Sequence, residues 1–163
     1  MSSARGLRLL KSLETYRKKL PDVYDCSTIL NKVNIISMSQ GCTKSSFTVD
    51  KSMCNGGFTL HGGYIASIVD VLSFYSILSH RNGKISWTTN LNVDYLKLAA
   101  VSQKVTVETK LQMNGNIPIT QTSLFDESGT VLARGTASFK AGNEELQIML
   151  KKLIGFDVYE NEC

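Results

Sequence analysis

Hydrophobic positions along this chain follow two periods. Over 60–80 they recur at helical spacing, whereas on either side Val, Ile, Thr and aromatic residues alternate with polar ones or form short β-branched runs. Strands are predicted over 33–38 and 44–49, around a turn at Gln40-Gly41, and over 86–95, 104–113, 119–125 and 131–140. The last four are punctuated by the turn-forming Asn114-Gly115-Asn116 and Glu127-Ser128-Gly129, which predicts a meander. Between the two groups, Tyr64, Ile65, Ile68, Val69, Leu72, Phe74, Tyr75, Ile77 and Leu78 go most of the way round one helix, so that helix must be enclosed rather than laid on a surface. Asn82-Gly83 ends it. A curved antiparallel sheet wrapped around a central helix meets the demand, an α+β architecture whose open edge strands a second copy of the chain can cover.

The two ends read differently. Leu9, Leu13, Tyr16 and Leu20 sit near helical spacing ahead of Pro21, as in an amphipathic helix packed on the domain, while the basic and serine-bearing composition of the same stretch also fits a targeting arm. Residues 1–22 are therefore set apart as helix or arm, 23–142 as the domain, and 143–163 as a short helix over 144–153 with a frayed tail of ten residues.

At 163 residues and 42% hydrophobic content the chain can bury one proper core. Its net charge of +4 is uneven: residues 1–20 carry six basic side chains against Glu14, leaving 12 basic and 13 acidic groups elsewhere. Basicity confined to the arm argues against a nucleic-acid-binding face. Cys26, Cys42, Cys54 and Cys163 have no C-x-x-C spacing, and His61 and His80 are the only histidines, so neither a metal site nor a disulfide framework is expected. An intracellular location, cytoplasmic or mitochondrial, fits this cysteine usage, and no apolar run is long enough to predict a transmembrane segment.

Chemistry concentrates in the loop from Cys54 through Asn55, Gly56 and Gly57 to His61-Gly62-Gly63, which opens the helix. Glycines there leave free N–H groups at a helix entrance, where the helix dipole favours negative charge, as on a phosphate or on the oxygen of an attacked carbonyl. No phosphate-loop signature accompanies them. Asp70 is the sole charge on the helix over 60–80. Cys54 lacks a partner for nucleophilic work and reads as a small residue packed under the glycines, and His80 reads as a cation at the helix C-terminus.

Asn55, Leu60-His61-Gly62-Gly63 and Asp70, on this layout, resemble the hotdog-fold acyl-CoA thioesterases, most nearly the phenylacetyl-CoA thioesterase type with the eukaryotic thioesterase superfamily member 2 group. The resemblance implies hydrolysis of acyl-CoA without a cofactor, the coenzyme A being part of the substrate, by a homodimer that pairs into a dimer of dimers. It places an oxyanion-binding amide on Gly62, an amide side chain on Asn55, loop support on His61, the carboxylate on Asp70 and a water-holding hydroxyl on Thr88. Gly63, Trp87, Tyr95, Lys97 and Lys104 follow as substrate-binding candidates, Trp87 as channel wall or core and the lysines toward the CoA phosphates. A proline commonly follows this strand in the family, where this chain reads Tyr95-Leu96-Lys97-Leu98, and Asn114-Gly115-Asn116 lacks the family's usual basic residue.

Asp70 is read either as general base for water or as nucleophile forming an anhydride. Gly62 and Asp70 are eight residues apart, hence about 12 Å along the helix, too far for both to touch one carbonyl. If both act, they come from different subunits. A non-catalytic acyl-CoA- or lipid-binding hotdog is the alternative function, and a hydratase or dehydratase, which wants Asp and His together on another motif, the third.

Overall fold

In the computed structural model, which describes residues 1–160, the chain runs α1 (Ala4–Lys19), β1 (Asn34–Ser39), β2 (Cys42–Thr48), α2 (Gly62–Ser79), β3 (Ser86–Tyr95), β4 (Lys104–Met113), β5 (Ile119–Phe125), β6 (Val131–Ala141) and α3 (Glu144–Ile154). A π-helical segment, Asp25–Leu30, links α1 to β1. The strands make one antiparallel sheet in the order β1-β2-β4-β5-β6-β3. Gln40 and Gly41, both at positive φ, turn β1 into β2 with the twist that the hairpin needs.

The expected four-strand meander holds only for β4, β5 and β6. Strand β3 instead pairs with β6, Thr88 beside Phe139 and Val93 beside Gly135, and becomes an edge. Helix α2 crosses the sheet and delivers the chain to the β6 side. The loop after β3 then returns it, with Leu60 N–H donating to Ala99 O (2.8 Å) and Val49 N–H to Gln103 O (2.9 Å), so that β4 meets β2.

Helix α2 is buried on nearly every side, from Tyr64 and Ile65 to Ile77 and Leu78. By length and composition it would pass for a membrane span, but most of it lies inside the protein. Its position over the sheet is fixed twice. Val69 presses on β6 at Gly135, where an added Cβ would lie 2.5 Å from Val69 Cγ1. A turn further on, Thr120 Oγ1 donates to Ser73 Oγ (2.8 Å), Ser76 Oγ donates to Gly41 O, and Gly41 N–H donates to Ser79 Oγ (3.0 Å). Buried hydroxyls with partners cost little and hold one rotation of the helix, and therefore the direction of Asp70.

Helix α1 starts at Ser3, whose Oγ accepts from Gly6 N–H (3.1 Å), and buries Leu9, Leu13 and Tyr16. Gly6 lets it lie directly on β1: a Cβ there would fall 1.9 Å from Met38 O. The buried Arg5 donates to the carbonyls of Leu78 (2.8 Å), Val158 (3.2 Å) and Gly83 (3.2 Å), joining α1 to the end of α2 and to the tail. The tail is not frayed as expected over its described part. Gly155, at φ 69°, reverses the chain after α3, and Ile154, Phe156 and Val158 enter the core, with Arg5 over the Phe156 ring at 5.1 Å. Residues 161–163, with Cys163, lie outside the described residues.

Candidate active site

The glycine-rich loop folds around Asn55. Its Oδ1 accepts from Gly57 N–H (2.9 Å) and Thr59 N–H (3.3 Å), and its Nδ2 donates to Thr59 Oγ1 (2.9 Å). The carboxamide thus shapes its own loop in this protomer, with one N–H left over. At the helix entrance His61 is the N-cap, its Nδ1 accepting from Gly63 N–H at 2.8 Å. That cap occupies the Gly63 amide. Among the described residues the Gly62 N–H has no acceptor. It sits where the dipole of an 18-residue helix favours negative charge. The Tyr95 hydroxyl donates to Gly62 O (3.1 Å), and a Cβ on Gly62 would come within 3.2 Å of the Tyr95 ring, so Tyr95 walls this amide.

The second half of the site lies farther along the same helix. Thr88 Oγ1 donates to Asp70 Oδ1 at 2.5 Å, across 18 residues of sequence. A β-bulge between Thr88 and Asn90 re-aims the strand at this point. Asp70 is half-buried and Thr88 exposed, because β3 is an edge: the acid looks out along the open side of the sheet rather than into an enclosed pocket. A groove of about 570 Å³ lined by Lys104, Thr106, Glu108 and Phe125 lies on the outer sheet face instead.

The remaining sequence candidates scatter. Trp87, next to Thr88 but beside the exposed Lys140, faces the outer side of β3 and is half exposed, so it is not core. Lys97 is engaged by Asp126, Nζ to Oδ2 3.1 Å, and Lys104 is on the outer face. Neither points at Asp70. His80 is the C-cap of α2, but burial and the neighbouring Arg81 and Arg5 push its pKa down, so the expected cation at the helix end is disfavoured. Cys54 Sγ donates to Asp50 O (3.3 Å).

Two features have no signature in the sequence. Phe58 is 65% exposed at φ 59°, a non-glycine residue held left-handed between Asn55 and the helix entrance. Asp25, in what reads as a polar link, is half-buried. Burial raises its pKa, and the Asp70 charge raises it further. No periodicity marks a lone acid in a linker. The positive φ of Phe58 has no signal in the residue type.

An antiparallel sheet closed around one long, buried helix defines the hotdog fold. The thioesterase superfamily is the family whose model matches this chain, over residues 57–133. Human acyl-coenzyme A thioesterase 13 is 23% identical over 137 residues, covering 83% of this chain and 98% of that protein. The zebra fish thioesterase superfamily member 2 structure superposes with TM-score 0.72 at 23% identity, over 79% of this chain and 94% of that one. A hypothetical thioesterase protein from Streptococcus pneumoniae, solved with coenzyme A, gives TM-score 0.70 at 19% identity, over 78% and 97%. The chain has the hotdog fold and, across the matched residues, resembles the thioester hydrolases of that superfamily.

Proposed function

We propose that the protein hydrolyses acyl-CoA thioesters at two sites shared across a homodimer, each taking the Gly62 amide and its Asn55 loop from one subunit and Asp70 with Thr88 from the other. The observation that carries this is the separation of the two half-sites: a bare amide at the head of α2, and an acid eight residues on, facing out along an open sheet edge. At ~1.5 Å per residue the two stand about 12 Å apart in one chain, beyond the ~3 Å reach of a hydrogen bond. A second copy pairing along β3 covers that edge and brings one subunit's amide to the other's acid.

In the shared site the thioester carbonyl oxygen accepts from Gly62 N–H, and Thr88 holds a water against Asp70. The water oxygen bonds to the carbonyl carbon as Asp70 takes its proton. The oxyanion then collapses, the carbon–sulfur bond breaks, and the proton passes to the departing CoA thiolate. The reaction asks for no cofactor beyond the CoA that the substrate carries. General-base chemistry is preferred to a nucleophilic Asp70 because the Thr88 hydroxyl already occupies one of its oxygens and can present water to it. The names of the human relative and of the CoA-bound streptococcal neighbour support the substrate class.

Subunit complementation tests the arrangement. Asp70→Ala removes the base. Gly62→Pro removes the amide at the first helical position, with His61 already in the extended backbone that proline requires before it, and because its Cβ comes within 3.2 Å of the Tyr95 ring, folding of this variant is verified by circular dichroism first. Each homodimer is expected to be inactive on an acyl-CoA panel. Mixed and exchanged subunits are expected to recover one working site in each heterodimer. No recovery after verified exchange refutes sharing.

A further inference from the structure

Three large apolar side chains stand in solvent around the bare Gly62 amide: Phe58 is 65% exposed, Tyr95 55% and Leu98 73%. Single exposed apolar residues are ordinary, but three gathered at one amide are not. Tyr95 is held there by its hydroxyl, which donates to Gly62 O (3.1 Å). Leu98 and Phe58 are brought in by the pairing of the glycine loop with the β3–β4 connection, where Thr59 bridges Ala100 and Leu60 N–H donates to Ala99 O (2.8 Å). That pairing is antiparallel, so Leu98 lies on its His61 side and Phe58 on its Gly57 side. Phe58 is the strained member of the group, a bulky residue at φ 59°. Asn55 keeps it so: Asn55 O accepts from Phe58 N–H (3.0 Å), and Asn55 Oδ1 accepts from the N–H groups of Gly57 (2.9 Å) and Thr59 (3.3 Å) on either side. The residue that brings a carboxamide to the proposed site therefore also fixes the ring. The short stretch of chain from Phe58 to Gly62 keeps the two within about 14 Å of each other.

We infer that Phe58 is a specificity-determining residue for the acyl half of the substrate: with the thioester carbonyl on Gly62 N–H, the acyl chain lies along the Phe58, Tyr95 and Leu98 side chains instead of in water. This deepens the proposed hydrolysis at Gly62 and rests on it. Two groups leave the carbonyl carbon, the acyl chain and the CoA thiol. The CoA half carries amides, hydroxyls and phosphates, which gain from polar partners, whereas an apolar wall rewards an apolar chain. Each methylene that reaches the wall leaves water, so the contribution of Phe58 grows with acyl length. It is made in the ground state and the transition state alike, and therefore shows mainly in KM. The left-handed backbone at Phe58 is then the cost of presenting a ring where glycine would fit without strain.

The test is steady-state hydrolysis of butyryl-CoA and octanoyl-CoA by the full-length protein, Phe58→Gly, Phe58→Tyr and Asp70→Asn. Phe58→Gly is expected to lower the ratio of kcat/KM for octanoyl-CoA to that for butyryl-CoA about five- to tenfold, through KM for the longer ester. Its melting temperature is expected to equal or exceed that of wild type, because glycine adopts this φ freely and the lost ring is exposed. Phe58→Tyr keeps the ring and is expected to hold the ratio within about twofold of wild type. The ratio does not depend on how much of a variant is folded, so a partly misfolded preparation still separates the outcomes. A ring that packs on the CoA half or on the partner subunit affects both esters equally. An unchanged ratio in Phe58→Gly, or an equal fall in Phe58→Tyr, overturns the inference while Asp70→Asn remains inactive. Full activity of Asp70→Asn on both esters overturns the parent reading, and this one with it.

Discussion

The hydrogen bond from Thr88 to Asp70 joins the edge strand to the central helix, and removing it isolates the contribution of one hydroxyl. In Thr88→Val the β-branched shape stays and suits a strand, while the Oγ1 donor at 2.5 Å from Asp70 Oδ1 disappears. A hydrogen bond to a charged group contributes about 1.5–3 kcal/mol. Thr88 is exposed in the single protomer, which favours the lower end, about 1.5–2 kcal/mol, or roughly a 10- to 30-fold loss of kcat/KM. The assay is steady-state acyl-CoA hydrolysis followed by release of free thiol, beside thermal melting. Melting should fall by no more than about 3–8 °C, the shift that a loss of 1.5–2 kcal/mol gives a chain of this size, which leaves the variant folded at assay temperature. Thr88→Ser keeps the donor and loses a methyl group, and should remain within about threefold of wild type. Wild-type kinetics for Thr88→Val, or equal losses in both variants, would refute a working role for the hydroxyl.

Two stability predictions test the frame that holds this site. Gly6→Ala forces a methyl group against Met38 O, a backbone atom that cannot turn aside, from an ideal separation of 1.9 Å. Helix α1 must lift from β1, and urea denaturation should show a loss of about 2–3 kcal/mol. Wild-type stability would mean that α1 does not dock as described. Asp126 accepts from the Ser128 hydroxyl (2.6 Å) and from Lys97 (3.1 Å), which hold its pKa well below the usual aspartate range. Because the folded pKa is depressed, this carboxylate contributes its stability above the unfolded pKa of about 3.9 and loses it as pH falls toward the folded value. Asp126→Asn should therefore lose less stability than wild type between pH 5 and pH 2 in urea melts, and an identical decline in both would dismiss the assignment.

Much of the fold was legible in the sequence because its signals are local. Alternation marked all six strands, three of them to the residue, and an all-round apolar pattern placed α2 inside the sheet. The His61-Gly62-Gly63 run marked the helix entrance through a side-chain cap and a bare amide, both made within three residues. Asp70 stood out as one charge on an apolar helix.

What the tertiary structure decided are the contacts between residues far apart in the chain. Alternation tells which side of β3 meets the core but not which strand lies beside it, so the β6 pairing, and with it the open edge that exposes Thr88 and Asp70, had no trace in the sequence. The buried Ser73, Ser76 and Thr120 hydroxyls read as polar positions until the sheet and helix closed on each other and supplied their partners. Periodicity and capping are written in neighbouring residues, whereas the pairing of strands and the meeting of charges depend on how loops close in space.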